Sequence, residues 1–343
     1  MMSSMASDFW QPAVHADRRP LLLTRNRVKA ALQGWFATQD FVAVECGAVQ
    51  RSPGNETHLH AFATQWQPEG GTGQTRYLHT SPEFAAKKLL AAGETRIVDF
   101  ARVWRNRECG PLHAPEFTMI EWYRAHADWT DMMADAVDLC RTAAAVAGRD
   151  TLTWRERSCV SGADPEILTL TEAFDRFAGL DLVALLGDRD AFAASTAAIG
   201  ITIQTDDNWS DLFSKVVATR IEPQLGHGRL TLLTEYPLAE AALARPGRDP
   251  RFAERFELYA CGVELANGFG ELTDAAEQRR RFVADMNAKA QLYGERYPID
   301  EDFLAALALM PPASGVALGF ERLALLAIGG VHINDMIWTP FPV

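Results

Sequence analysis

Residues 104–123, WRNRECGPLHAPEFTMIEWY, decide how this chain is read. They bring two arginines, three glutamates, a histidine and four aromatics into twenty residues, with Gly110-Pro111 at the centre. Apolar flanks around a polar middle broken by glycine and proline predict a strand, a long loop and a second strand. Such a tip packs poorly, whereas loops held on a rigid scaffold are where function concentrates. Arg105 and Arg107, two residues apart, would share one face if the strand ran on. Arginine's planar fork of donors suits phosphate or carboxylate. Phe117 offers a face for a purine base, and Tyr123 a hydroxyl at the rim of a pocket.

Two later stretches carry comparable chemistry. In RFELYACGVELANGFGELTD (255–274), Glu257, Glu264 and Glu271 recur every seven residues. A helix would align them, but Gly262, Gly268 and Gly270 would each cost about 1 kcal/mol in its interior. A hairpin turning at Ala260-Cys261 pairs Glu257 with Glu264, and facing carboxylates repel. A divalent cation between them removes the conflict, and Mg²⁺ takes one or two carboxylates together with substrate phosphates. In SGVALGFERLALLAIGG (314–330), Gly315 and Gly319 predict a turn open to close backbone approach. Arg322 then starts an apolar helix, where an anion is welcome. No Walker lysine loop or GxGxxG accompanies these segments.

The rest of the chain supplies a scaffold. Residues 1–20 read as a loose arm, and apolar spacing predicts a helix over Leu21–Thr38. FVAVECGAV (41–49) alternates as a strand, and another begins at Arg76. SPEFAAKKLLAA (81–92) carries Ser81 at the N-cap, Pro82 at the first helical position and Gly93 as stop. Helices are expected over Asp131–Ala147 and Ala275–Leu292, with 151–250 a mainly helical insertion or connection. No internal repeat or linker divides the chain, so 21–343 is one α+β domain, an antiparallel sheet flanked by helices. The net charge of -12 argues against a nucleic-acid binder, which shows a basic footprint. Five scattered cysteines form no metal pattern. The N-terminus lacks an apolar signal core, and no apolar run approaches the roughly 20 residues of a membrane helix. The expected location is the cytoplasm.

WRNRE…H…EF resembles motif 2 of the class II aminoacyl-tRNA synthetases, and GVALGFER resembles motif 3. TSPEFAAKKLL and FEL…GVELANGFGEL are similar to the lysyl branch of that class. The likeness covers nearly the whole chain, with no anticodon-binding domain ahead of it. HAPEFTMIEWYR and GVELANGFGELTDA resemble the short lysyl-type members that act on elongation factor P. That resemblance implies an ATP- and Mg²⁺-dependent, homodimeric ligase that activates (R)-β-lysine as its adenylate and transfers it to a lysine ε-amine of elongation factor P. It further implies that Arg105 holds the substrate carboxylate and α-phosphate, His113 the outer phosphates, and that Phe117 and Arg322 sandwich adenine. Arg105 and Arg322 would be the catalytic pair. Asn267 would support the nucleotide and Glu257 and Glu264 would carry Mg²⁺. On the amino-acid side, Ser81, Glu83, Glu264 and Ala317 would line the pocket, with Glu83 at the amine beside the carboxylate. Tyr123 and Glu271 would take the distal ammonium. Ala317 stands where lysyl-tRNA synthetases carry glycine, and its methyl group would shape the pocket toward β-lysine. Arg107 stands where motif 2 has glutamate, and Gly47 where motif 1 has proline. A tRNA ligase charging lysine, or a silent paralogue that binds nucleotide or amino acid, are the alternatives.

Overall fold

The computed structural model describes residues 8–341. Its strands are β1 (Val42–Ala43), β2 (Val49–Gln50), β3 (Ala63–Trp66), β4 (Gln74–Leu78), β5 (Arg96–Trp104), β6 (Glu116–Ala125), β7 (Thr151–Trp154), β8 (Arg157–Val160), β9 (Glu166–Thr169), β10 (Thr231–Pro237), β11 (Phe252–Ala260), β12 (Val263–Gly270) and β13 (Ala313–Gly319). The helices that matter for the site are α1 (Pro12–Thr38), α2 (Glu83–Ala91), α3 (Trp129–Val146), α4 (Ala275–Tyr293), α5 (Glu301–Leu307) and α6 (Phe320–Ile328).

An eight-stranded sheet in the order β1-β5-β6-β13-β12-β11-β10-β9 forms the body. Its six central strands, β5 to β10 in that order, pair antiparallel, and only the short edges β1 and β9 run parallel to their neighbours. Alternation along β6 sorts the two faces. Ile120 and Trp122 point into the main core, with Phe256 of β11, Phe36 of α1, Met132 of α3 and Phe320 of α6. Phe117, Met119, Glu121 and Tyr123 point the other way, into a cavity. A three-stranded sheet, β2-β4-β3, and helices α2, α4 and α5 wall that second face. Two helices are set by local chemistry: α3 starts with an Asp128/Asp131 capping box, and α4 ends at Gly294 with φ 66°.

Several elements differ from the sequence reading. Helix α1 begins at Pro12, well inside the expected 1–20 arm, and residues 1–7 of that arm lie outside the described residues. Pro12 sits in the first helical turn, where its missing N–H costs nothing, and the helix runs on through Pro20. Leu22, Val28, Leu32 and Phe36 along α1 are buried, so packing outweighs the one lost hydrogen bond. The expected strand 41–49 divides: β1 pairs with β5 and β2 with β4, in different sheets. The segment 151–250 holds β7 to β10 beside its short helices, and β9 and β10 extend the main sheet. SGVALG is a central strand, β13, rather than a turn.

The 255–274 hairpin forms, but turns at Cys261-Gly262, whose φ angles are 57° and 73°. Two consecutive positive angles match the tight turn that twists a hairpin correctly. With an irregularity between Leu258 and Tyr259, Glu264 therefore faces Tyr259, and Glu257 faces Asn267. The expected Glu257–Glu264 pair is displaced by this register.

Candidate active site

The cavity over the sheet has a volume of about 390 Å³. Ser81, Glu83, Arg105, His113, Phe117, Tyr123, Glu257, Glu264, Asn267, Glu271, Ala317 and Arg322 all line it, and Arg107 does not. β6, β11, β12 and β13 form its floor, and the 104–116 loop and the start of α6 close one end.

That end is cationic. Arg322 donates from Nε to the Leu112 carbonyl at 3.1 Å, from NH1 to the Glu264 carbonyl at 3.2 Å, and from NH2 to His113 Nε2 at 2.6 Å. One guanidinium thus fastens the 105–115 loop and β12 to the start of α6. Burial, then the charges of Arg322 and Arg105, push the His113 imidazole down to about 4, so it is neutral near pH 7. The Arg105 guanidinium lies 5.4 Å from the centre of the Phe117 ring, donates from Nε to the Thr80 carbonyl at 3.4 Å and pairs loosely with Glu108 at 3.8 Å, so its outer nitrogens can still take an anion. Arg107 does not share this face. Its φ of 70° turns the chain outward, where it bonds Glu295 of the α4–α5 loop. The expectation that both arginines face one site fails because the strand ends at Trp104.

The other end is anionic. Helix α2 starts at Glu83 with Pro82 at its N-cap, one residue later than the sequence suggests, and Ser81 just ahead of it accepts the Glu83 amide on Oγ at 3.0 Å and donates to Glu121 Oε1 at 2.6 Å. Tyr123 OH donates to the second Glu121 oxygen at 2.8 Å. Burial, followed by the neighbouring charge of Glu83, pushes the Glu121 carboxyl up to about 8. Lys87 Nζ, 1% exposed, lies 2.6 Å from Glu83 Oε1 and 2.6 Å from Glu271 Oε2. Two carboxylates assigned to opposite ends of a substrate therefore share one ammonium and stand at the same end. The Lys87–Glu271 pair is a buried ion pair at 2.6 Å. Burial outweighs Lys87's attraction and holds Glu271 up at about 7.

Glycine here provides room. A Cβ on Gly315 would lie 2.4 Å from the Tyr123 ring and 2.5 Å from Glu271 Oε1. Ala317, opposite Glu121 on β6, packs, like Phe117, against the Ala101, Val103 and Met119 cluster.

Between the two ends stand the metal candidates. Glu257 accepts 2.6 Å hydrogen bonds from Arg255 NH2 and Tyr259 OH. Enclosure by protein, then the Glu257 charge, push Glu264 up to about 7. A divalent cation would relieve that repulsion, so the donor set suits Mg²⁺. Among the described residues no three such side chains converge into a closed cage. That fits an ion completed by substrate phosphates. Asn267 Oδ1, beside them, is buried without a donor among the described residues. Buried acceptors left without donors are costly and point to a missing ligand.

Sequence reasoning missed Glu121 and Lys87. Both had a signal: Glu121 lies between Phe117 and Tyr123 in the alternation of β6, and Lys87 lies four residues after Glu83 on a helix.

The chain matches the family model "tRNA synthetases class II (D, K and N)" over residues 9–343. A protein of Sodalis glossinidius named elongation factor P--(R)-beta-lysine ligase is 36% identical over 339 residues, 98% of each chain. One of that name from Proteus mirabilis is 36% identical over 344 residues, 99% of each. Another from Haemophilus ducreyi is 35% identical over 339 residues, 98% of this chain and 97% of its own.

Proposed function

This chain belongs to the class II tRNA synthetases of the D, K and N group, and from that premise we propose that it is an ATP-dependent ligase that activates (R)-β-lysine and transfers it to a lysine ε-amine of elongation factor P. The observation that carries the reading is the polarity of one cavity: Arg105 and Arg322 at one end, Glu83, Glu121, Glu271 and Tyr123 at the other. A diamino acid presents a carboxylate and two ammonium groups, and buried ammonium demands paired carboxylate.

In the first step the substrate carboxylate oxygen attacks the α-phosphorus of ATP, and pyrophosphate leaves with the bonding electrons. Arg105 would orient the carboxylate and α-phosphate. Neutral His113, held by Arg322, would meet the outer phosphates, and adenine would lie by Phe117 and Arg322. Glu257 and Glu264 would hold Mg²⁺, with Asn267 on the nucleotide; when bound, the ion neutralises phosphate charge. In the second step the acceptor nitrogen attacks the activated carbonyl, the new C–N bond replaces the C–O bond to phosphate, and AMP departs. This is chemistry by positioning and charge, without a covalent enzyme intermediate.

Ser81 and Glu121 complete the amine end, and Ala317 narrows the floor beneath it. The protein would act as a homodimer in the cytoplasm; among the described residues no helix is long and apolar enough to cross a membrane. The test is ATP–pyrophosphate exchange with α-lysine and both β-lysine enantiomers, followed by intact-mass analysis of elongation factor P. Exchange favouring (R)-β-lysine and a covalent adduct are expected. Failure with all three amino acids sinks the reading, and charging of tRNA instead would favour a tRNA ligase.

A further inference from the structure

The transfer step needs a proton acceptor. A lysine ε-amine is an ammonium near neutral pH, with an ordinary value of about 10.4, and its nitrogen attacks only after losing a proton. We propose that Glu56 is the general base of the transfer step, taking the proton from the acceptor amine as it attacks the acyl-adenylate. This rests on the two-step ligase reading above.

Most carboxylates of the cavity are engaged. Glu83 and Glu271 hold Lys87, Glu121 holds Ser81 and Tyr123, and Glu257 holds Arg255 and Tyr259. Glu108 and Glu264 lie 3.8 and 3.9 Å from Arg105 and Arg322. Glu56 lines the same cavity, and its carboxylate makes no hydrogen bond or ion pair among the described residues. Its carrier loop is held firmly. Lys289, itself buried, donates to the carbonyls of Glu56 at 3.5 Å, Thr57 at 2.9 Å and Leu59 at 2.6 Å. Asn55 and Thr57 bond Pro298 and Asp285 on either side. A base on a fixed loop loses little in being positioned.

The charged groups that face Glu56 are Arg105, Arg255 and Lys289, which favour its ionised form, and Glu83 and Asp285, which oppose it. Burial is the largest influence and raises its proton affinity above that of an ordinary glutamate. Arg105 is the residue placed at the activated carboxylate, and Glu56 lines the same cavity within reach of its charge. Two protons leave nitrogen between ammonium and amide: Glu56 takes the first as nitrogen attacks and passes it to solvent, and the second, made acidic once the C–N bond has formed, goes to water as AMP departs.

The experiment measures both half-reactions of Glu56→Gln, a change that keeps shape and removes basicity. Exchange with pyrophosphate reports adenylate formation, and single-turnover transfer to elongation factor P reports the second step. General-base catalysis typically supplies about 10²–10⁴-fold. At pH 7 transfer should fall by about a hundredfold, while exchange falls less than about threefold. The transfer rate of the wild type should drop as pH falls through the raised Glu56 value. The variant should lose that limb and recover as alkali deprotonates the amine. Transfer within about threefold of wild type at pH 7 overturns the proposal, as does parallel loss of exchange. Wild-type protein without exchange for any of the amino acids would instead mark failure of the ligase reading, and the role of Glu56 would fall with it.

Discussion

Replacing Lys87 by methionine removes the one ammonium shared by Glu83 and Glu271 while keeping most of its volume. In the native protein Nζ touches both carboxylates at 2.6 Å, with lysine and Glu271 each 1% exposed. Deleting one member of a buried charged cluster costs about 3–5 kcal/mol, because a buried charge is left without a partner. The pH dependence follows from the two partners. Glu83 and Glu271 hold the Lys87 ammonium above its ordinary value, so its stabilisation is complete below the unfolded value of about 10.4 and is lost only at higher pH. Glu271 titrates at about 7 against an ordinary 4.5, so stability declines as pH rises between those values. Without Lys87 its proton affinity climbs further and the decline steepens. The difference between the two proteins should therefore be about 3–5 kcal/mol at pH 8. It should shrink toward the 1.5–3 kcal/mol of a single charged hydrogen bond, roughly, at pH 5. Urea unfolding at pH 5, 6.5 and 8 measures this directly. A difference below about 1 kcal/mol, or one independent of pH, would refute the view that this ammonium holds the acidic end together.

Three further outcomes are expected. Gly315→Ala pushes a methyl group to 2.4 Å from the Tyr123 ring and 2.5 Å from Glu271, so overpacking of about 1–3 kcal/mol should appear chiefly as a raised KM for the amino acid in exchange kinetics. An unchanged KM would remove Gly315 from the pocket wall. Arg322→Ala severs bonds to Leu112, Glu264 and His113; at about 1.5–3 kcal/mol per charged hydrogen bond, the KM for ATP should rise at least tenfold. A change below threefold would count against it. Glu121 stays protonated up to about pH 8, so an ammonium bound against it at pH 7 should expel a proton. Calorimetric heats that differ between buffers of unlike ionisation enthalpy would register that release, and identical heats would contradict it.

Particular residues show how far the chain could be read before folding was known. The 104–123 hairpin, the 255–271 hairpin and the helix after Gly319 were legible because each signal is local: alternation, glycine punctuation, an apolar face at helical spacing. SGVALG misled for a long-range reason. Gly315 reads as turn punctuation, yet it sits in a central strand because Tyr123 and Glu271, distant in sequence, need its empty side. Arg107 misled because one positive φ redirected it to Glu295. The Glu257–Glu264 pairing failed by a shift of turn and register, to which two-residue side-chain periodicity is acutely sensitive.

By itself the sequence determined which chemistry this protein carries: arginines in motif 2 and motif 3, carboxylates along 255–271, and a scaffold of strands and capped helices. Tertiary structure alone decided how those charges are shared. Glu83 and Glu271 meet on Lys87, Glu121 faces Ser81 and Tyr123, and the Glu56 carboxylate faces the cavity without a hydrogen bond or ion pair among the described residues. Identity and spacing are written along the chain, but the balance between burial and pairing depends on neighbours that only folding brings within a few ångströms.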